Sequence, residues 1–374
     1  MPGPFIASAA CTAFGKRSET LVELLAECSR KALDGREADA LFVGAQNPEE
    51  LAGTGNLSTA LSDALAMAPR PAVRVECASA SGAAVLEQAA RCVASGRYRT
   101  VLVAAGERMT HLPTGRVSAI LAEVLSPLER ALGLTMASLA ALSTRAYMHR
   151  HGLTREELAL VPVKSHGNAL LNPIAHFRKA ITVQDVLESR PVSDPLRVYD
   201  CSAVSDGAAA VVLSSERGEV RVAGIGHGTD ALAVQHREDL CSLRATREAA
   251  RQAFAEASCG PGEVDVVEAH DAFSILELID LEDLGFFPAG GARRALVKGE
   301  TQLGGALPVN VSGGLKARGH PVGASGLAQV VELFDQLTGN AGRRQVDGAA
   351  VGLAQSIGGF GSNNLVTVLR RVGA

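Results

Sequence analysis

The sequence predicts a layered α/β protein built from two similar halves, its sheets covered by helices. Short apolar runs alternate with amphipathic helical patterns along most of the chain, the order that yields sheets flanked by helices. That order of elements occurs twice, although no residue string is copied. The composition fits: 374 residues, 47% hydrophobic, 39 glycines and no tryptophan suit a large, tightly packed core.

Each half opens on a strand, FIASAACTAFGKR in the first and EVRVAGIGHGTDA in the second. A helix follows (ETLVELLAECSRKALD, LRATREAARQAFAEA), then a strand (ADALFVGAQ, VDVVEAHDAF). Next comes an elbow before a helix, marked by Ser-Gly at 81–82 and again at 325–326, and then the strands TVLVAAGE and DGAAVGLAQS. Each half closes on an apolar strand, within 205–215 and 359–369. The expected organisation is therefore 1–111 with 201–218 as the first half, 112–200 as an insertion, and 219–374 as the second half. The insertion begins Ala/Leu-rich and helical and continues polar with several His and Asn, and it is read as a lobe covering the site.

Composition narrows the function classes. With 36 basic and 40 acidic residues and no Lys/Arg-rich block, nothing suggests a nucleic-acid partner. Apolar runs stop short of membrane-spanning length, and no basic segment precedes the apolar start, so neither a membrane span nor a secretory signal is read. Seven cysteines without paired spacing suit reduced thiols and a cytoplasmic setting. No CxxC or HExxH pattern supports a metal site.

Two places carry chemistry. Asn310–Gly326, NVSGGLKARGHPVGASG, packs five glycines around His320 immediately before a helical pattern. Glycine there permits positive φ or close approach to a ligand, so His320 reads as a base or oxyanion donor held at a helix entrance; the plain alternative is only a turn. In VECASASG, Cys77 stands between a strand and a helix. The positive end of a helix dipole favours thiolate there, which makes Cys77 the candidate nucleophile. The other cysteines lack such a setting and read as small apolar filler. If the halves pack with pseudo-twofold symmetry, Cys77 and His320 occupy equivalent helix starts and meet.

These motifs resemble those of the thiolase superfamily over essentially the whole chain. VECASASG is similar to the family's strand-ending nucleophile, and the Gly-His-Pro loop matches closely. KSHGNALLNPIAHF, YDCSAVSDGAAAVVL and EAHDAFSILELIDLEDLGF resemble the sterol-carrier-protein and archaeal acetoacetyl-CoA types. The resemblance implies the thiolase fold: two βαβαβαββ halves in an αβαβα core with an inserted loop lobe. It implies an acyltransferase making or cleaving a carbon–carbon bond between CoA thioesters through an acyl-Cys77 intermediate. In that scheme His320 raises the thiolate fraction, His270 holds the second thioester oxygen, and the N–H groups of Cys77 and Gly358 form an oxyanion hole. A capping role is the alternative for His270.

One departure stands out. Thiolases use a second cysteine as acid/base, in a C-terminal Cys-x-Gly-Gly-Gly loop or in His-Asp-Cys-Phe; here those slots hold Ser356 and Ala272. A hydroxyl is poorly matched to proton transfer near neutral pH. Either His270 or His320 takes that proton, or the chain performs non-thiolytic acyl transfer, decarboxylative condensation or retro-aldol cleavage, or serves as a non-catalytic acyl-CoA-binding subunit. The resemblance further implies CoA thioesters as substrates with no permanently bound cofactor, a homodimer or dimer of dimers, and a small zinc-ribbon/OB-fold partner. Candidate CoA contacts are His166, Arg178, Lys179, Lys316, Arg318, Ser312 and Gly313.

Overall fold

The computed structural model describes residues 3–373. Its strands are β1 Phe5–Cys11, β2 Ala40–Gly44, β3 Ala72–Val75, β4 Thr100–Glu107, β5 Pro191–Ser193, β6 Leu196–Arg197, β7 Gly207–Ser214, β8 Val220–Thr229, β9 Val266–Glu268, β10 Val351–Gly358 and β11 Asn363–Arg371. Nine of them form one ladder in the order β3-β2-β4-β7-β1-β8-β11-β10-β9, while β5 and β6 pair separately. The two halves of the ladder join at β1 and β8 through only two pairs, Phe5 with Arg221 and Ile6 with Val220. The order β3-β2-β4-β7-β1 is mirrored by β9-β10-β11-β8, which is the duplication read in the sequence. The mirror lacks one strand: where β3 pairs with β2, the second half has a lone bridge between Val309 and Val267. The segment 112–200 adds no strand to the ladder.

Small residues set how closely the layers approach. On β8, glycines alternate at 224, 226 and 228 beneath the helix Arg244–Ala257. A Cβ on Gly226 would lie 1.8 Å from the Ala249 carbonyl oxygen, so the GIGHG run exists to let this helix rest on the strand. The helices that follow the two elbows, Ser81–Ala94 and Ser325–Leu337, pack on each other. A Cβ on Gly82 would stand 2.7 Å from the Leu327 amide nitrogen, and one on Gly326 would stand 2.9 Å from that of Ala83. The equivalent helix starts therefore touch.

Buried polar groups tie the halves around this contact. The Glu107 carboxylate, at the end of β4, accepts hydrogen bonds from the N–H groups of Gln46 (2.8 Å) and Gly323 (3.2 Å). Asp206 accepts from the N–H groups of Arg17, Met109 and Thr110, gathering three loops beside the Gly-His-Pro segment. Under that segment Lys164 meets Glu277 at 2.6 Å with both side chains fully buried, and Asn310 Nδ2 donates to the same carboxylate at 2.8 Å. Asn310 also accepts the Ala269 N–H at 2.9 Å, so one buried network holds both the β9 exit and the glycine-rich loop.

Candidate active site

A cavity of about 910 Å³ opens between the elbows and the inserted segment. Ser79, His270 and His320 line it together, with Lys316, Cys201, His166 and His176 further along its walls and Lys179 and Arg190 among its basic groups. The turn after β3 explains which residue of the elbow reaches it. Ala78 takes a positive φ of 48°, and the next residue, Ser79, leads into Ala80 at the helix N-cap. Ser79 Oγ donates to the Ile357 carbonyl at 2.8 Å, which fixes it against the end of β10.

The thiol of Cys77, expected to meet His320, is turned to Asn363, and no hydrogen bond joins it to His320 among the described residues. The cavity wall takes in Ala78 and Ser79 but not Cys77. The thiol packs with Ala80, Ala83, Ala84 and Leu365, and its Sγ accepts a hydrogen bond from Asn363 Nδ2 at 2.6 Å. Beyond it His227 bonds Asn363 Oδ1 through Nε2 and Glu87 through Nδ1 at 2.9 Å. The Cys77 sulfur, and then the Glu87 carboxylate, push the His227 imidazole up to about 10. The backbone of Cys77 is also committed, because its N–H donates to Ser81 Oγ at 2.9 Å and so does not form half of an oxyanion hole. Gly358 is absent from the cavity wall, which is built instead from its neighbours Ile357 and Gly359.

The two histidines do converge. Their ring centroids are 5.1 Å apart and the rings stand edge to face at 86°. His320 Nδ1 lies 2.7 Å from Ser325 Oγ, whose own proton goes to the Pro321 carbonyl at 3.0 Å. Ser325 must then accept from Nδ1–H, which leaves the Nε2 lone pair free. Burial, reinforced by the Arg318 charge, lowers His320 to about 3. Burial, then His320 and Arg318, carries His270 well below its ordinary range. Both imidazoles are neutral at pH 7. His270 Nδ1 has no hydrogen-bond partner among the described residues, although the backbone N–H of His270 donates to Gln355 Oε1 at 2.8 Å.

Other expected contacts divide. His166, Lys179 and Lys316 are on the cavity wall, whereas Arg178, exposed on the same loop, is not. Lys316 is 2% exposed and donates Nζ to the Asp200 carbonyl at 2.7 Å. Burial lowers its basicity against the pull of Asp271 and Asp200. Arg318, Ser312 and Gly313 are buried beneath the wall. Arg318 Nη1 faces Glu268 Oε2 at 3.4 Å, Ser312 Oγ donates to the same oxygen at 2.5 Å, and Gly313 abuts Ala169. Ser356 is buried in β10 with its hydroxyl turned toward Gly326, where a Cβ would stand 2.8 Å away, so it faces the paired helices and not the cavity. Sequence reasoning missed Ser79, His176, Arg190 and Cys201. Ser79 carried a signal in its position, two residues before the Ser-Gly that starts the helix; the thiol at Cys77 drew attention by chemical type.

Comparison with known proteins accords with this architecture. The chain matches the family profile "Thiolase, N-terminal domain" over residues 5–217 and "Thiolase C-terminal domain-like" over 226–371. It is 41% identical over 348 residues to an acetyl-CoA acetyltransferase of Methanothermobacter thermautotrophicus, covering 91% of this chain and 90% of the relative. It is 30% identical over 407 residues to sterol carrier protein 2 of Rattus norvegicus, covering 99% and 72%. A solved structure titled "Ltp2-ChsH2(DUF35) aldolase" superposes with a TM-score of 0.86 at 23% identity, over 100% of this chain and 99% of that one. Fold and relatives define a thiolase-fold protein of acyltransferase type. The chain belongs to the thiolase family.

Proposed function

We propose that this chain makes or breaks a carbon–carbon bond in a CoA thioester at the cavity shared by Ser79, His270 and His320, without an acyl-thioenzyme. One observation carries this reading: the elbow residue that shares the cavity wall with the two neutral imidazoles is a hydroxyl, and the thiol expected there is turned to Asn363.

A thiolytic cycle needs a good nucleophile and a good leaving group at the elbow, and thiolate supplies both. Ser79 supplies neither without strong activation. Retro-aldol cleavage of a 3-hydroxyacyl-CoA asks less. A neutral imidazole with a free lone pair takes the 3-hydroxyl proton, and the Cα–Cβ bond breaks to release a carbonyl compound. The bonding electrons pass into the thioester enolate, and a proton returned to Cα completes the acyl-CoA product. His320, with Nε2 free, suits the base; His270 suits the thioester oxygen, joined by the Ser79 hydroxyl once it turns from the Ile357 carbonyl. The same steps reversed form the bond. Lys179 and Arg190 supply positive charge for the CoA phosphates, and Lys316 supplies a buried donor between.

A second reading, acyl transfer through a Ser79 ester, is favoured by the place of Ser79 just before a helix start, on the cavity wall it shares with His320. Incubation with a 3-hydroxyacyl-CoA, read by chromatography of the released acyl-CoA and by intact mass of the protein, separates the two. Product without added protein mass supports the first; an acyl group on Ser79 supports the second; neither product nor adduct removes both. The related protein named "Benzoylsuccinyl-CoA thiolase subunit BbsB" and the second component in the neighbour's title support a reading in which a partner subunit completes the enzyme. The assay is therefore run with and without any co-purifying partner. A homodimer is also proposed, for which β3 offers the outer edge of the ladder, with Val73 exposed on it.

A further inference from the structure

The cavity combines basic groups with a broad apolar wall. At about 910 Å³ it stands near the top of the range of roughly 300–1,000 Å³ that buries a drug-sized ligand. Its basic groups Lys179 and Arg190 flank the short helix Val183–Glu188, and other residues build the apolar wall. That wall is drawn from the earlier part of the inserted segment (Val117, Leu121, Val124 and Met136), from Phe273 before the helix Ser274–Asp283, and from Phe360 in the turn between β10 and β11.

The packing makes this wall continuous around the reactive groups. Val117 is fully buried against Val322, two residues past His320, with Leu121 packed onto the same cluster. Val124 comes within 3.9 Å of the space a Cβ would occupy at Gly359, and Phe360 follows directly. Gly359 and Phe360 continue from Ile357, whose carbonyl receives the Ser79 hydroxyl. Apolar surface thus runs from the His320 loop to the Ser79 strand end. Leu121, Val124 and Met136 are each only half-buried by the protein. An acyl group with apolar bulk removes that surface from water; an acetyl group leaves it wet.

We infer that the acyl group taken by this site is bulky and apolar, of the size of an aromatic or alicyclic ring or larger, seated between the inserted segment and Phe360. The inference rests on the reading of the cavity as an acyl-CoA site, and binding measurements separate the two. Titration calorimetry of the full chain, with any co-purified partner retained, uses CoA, acetyl-CoA, octanoyl-CoA and benzoyl-CoA. Benzoyl-CoA is expected to bind roughly 30-fold more tightly than acetyl-CoA. Leu121→Trp fills the arm and is expected to bring that ratio below about 3-fold. Met136→Trp, on a separate helix, serves the same purpose should Leu121→Trp fail to accumulate. Equal affinities for acetyl-CoA and benzoyl-CoA in the unaltered protein overturn the bulky-acyl inference while leaving the CoA site standing. A ratio unmoved by either tryptophan overturns the location of the arm. Failure to bind CoA and all three thioesters overturns the underlying reading as well.

Discussion

His320 Nδ1 and Ser325 Oγ lie 2.7 Å apart, and this contact sets the chemistry of the Gly-His-Pro loop. Ser325 belongs to the first turn of the helix that follows, so the helix start chooses the tautomer of the imidazole. Ser325→Ala removes the acceptor for Nδ1–H and frees the ring to rotate or exchange tautomers. The expected effect is a fall in kcat of about 10- to 100-fold with KM nearly unchanged, by analogy with groups that orient a catalytic histidine. A loss confined to KM contradicts an orienting role.

The pH dependence follows from burial. His320, lowered to about 3, takes up no proton in the free protein between pH 5 and 7, and burial moves His270 in the same direction. A base that is already neutral stays competent as acid is added. The profile of kcat/KM is therefore expected to be flat through pH 6.5, its acid limb lying well below. An inflection at 6–7 that disappears in His320→Asn contradicts this placement.

Stability beneath the site depends on a buried ion pair. Lys164 and Glu277 are both fully buried at 2.6 Å, and Asn310 shares the carboxylate. Lys164→Met leaves that charge without its cation, a change that costs about 3–5 kcal/mol. Urea denaturation at pH 7 measures it, and Lys164→Met with Glu277→Leu is expected to recover much of the loss. A single-variant cost under about 1 kcal/mol would show that the pair does not hold the loop.

The duplication, the order of strands and the approach of the two helix starts were all legible in the sequence. Alternating strands and helices set the layers, and Ser-Gly marked both elbows. His270 and His320, both singled out in the sequence, come together on one cavity wall. Which elbow residue lines the cavity was not legible. Cys77 and Ser79 share an elbow of small residues, and which one reaches the cavity depends on the positive φ of Ala78 between them. Nothing in the residue pattern announces that φ, because alanine rarely adopts it. Arg318, Ser312 and Gly313 misled for a related reason: a glycine-rich loop looks exposed, yet Glu268 draws these residues inward. The occupant of the Cys77 pocket, the Asn363–His227–Glu87 chain, comes from three distant segments and leaves no local trace.

The most direct test of the account compares turnover of a 3-hydroxyacyl-CoA bearing a ring-sized acyl group by Ser79→Ala and Cys77→Ala. Loss of the Ser79 hydroxyl is expected to lower kcat about 100-fold or more, the size of a lost oxyanion donor. Loss of the Cys77 thiol, which touches Asn363 and not the cavity, is expected to leave kcat within about 3-fold of the unaltered protein, the usual latitude for a group that touches no reacting atom. The reverse pattern, with Cys77→Ala inactive and an acyl group trapped on Cys77 in the unaltered protein, would contradict it.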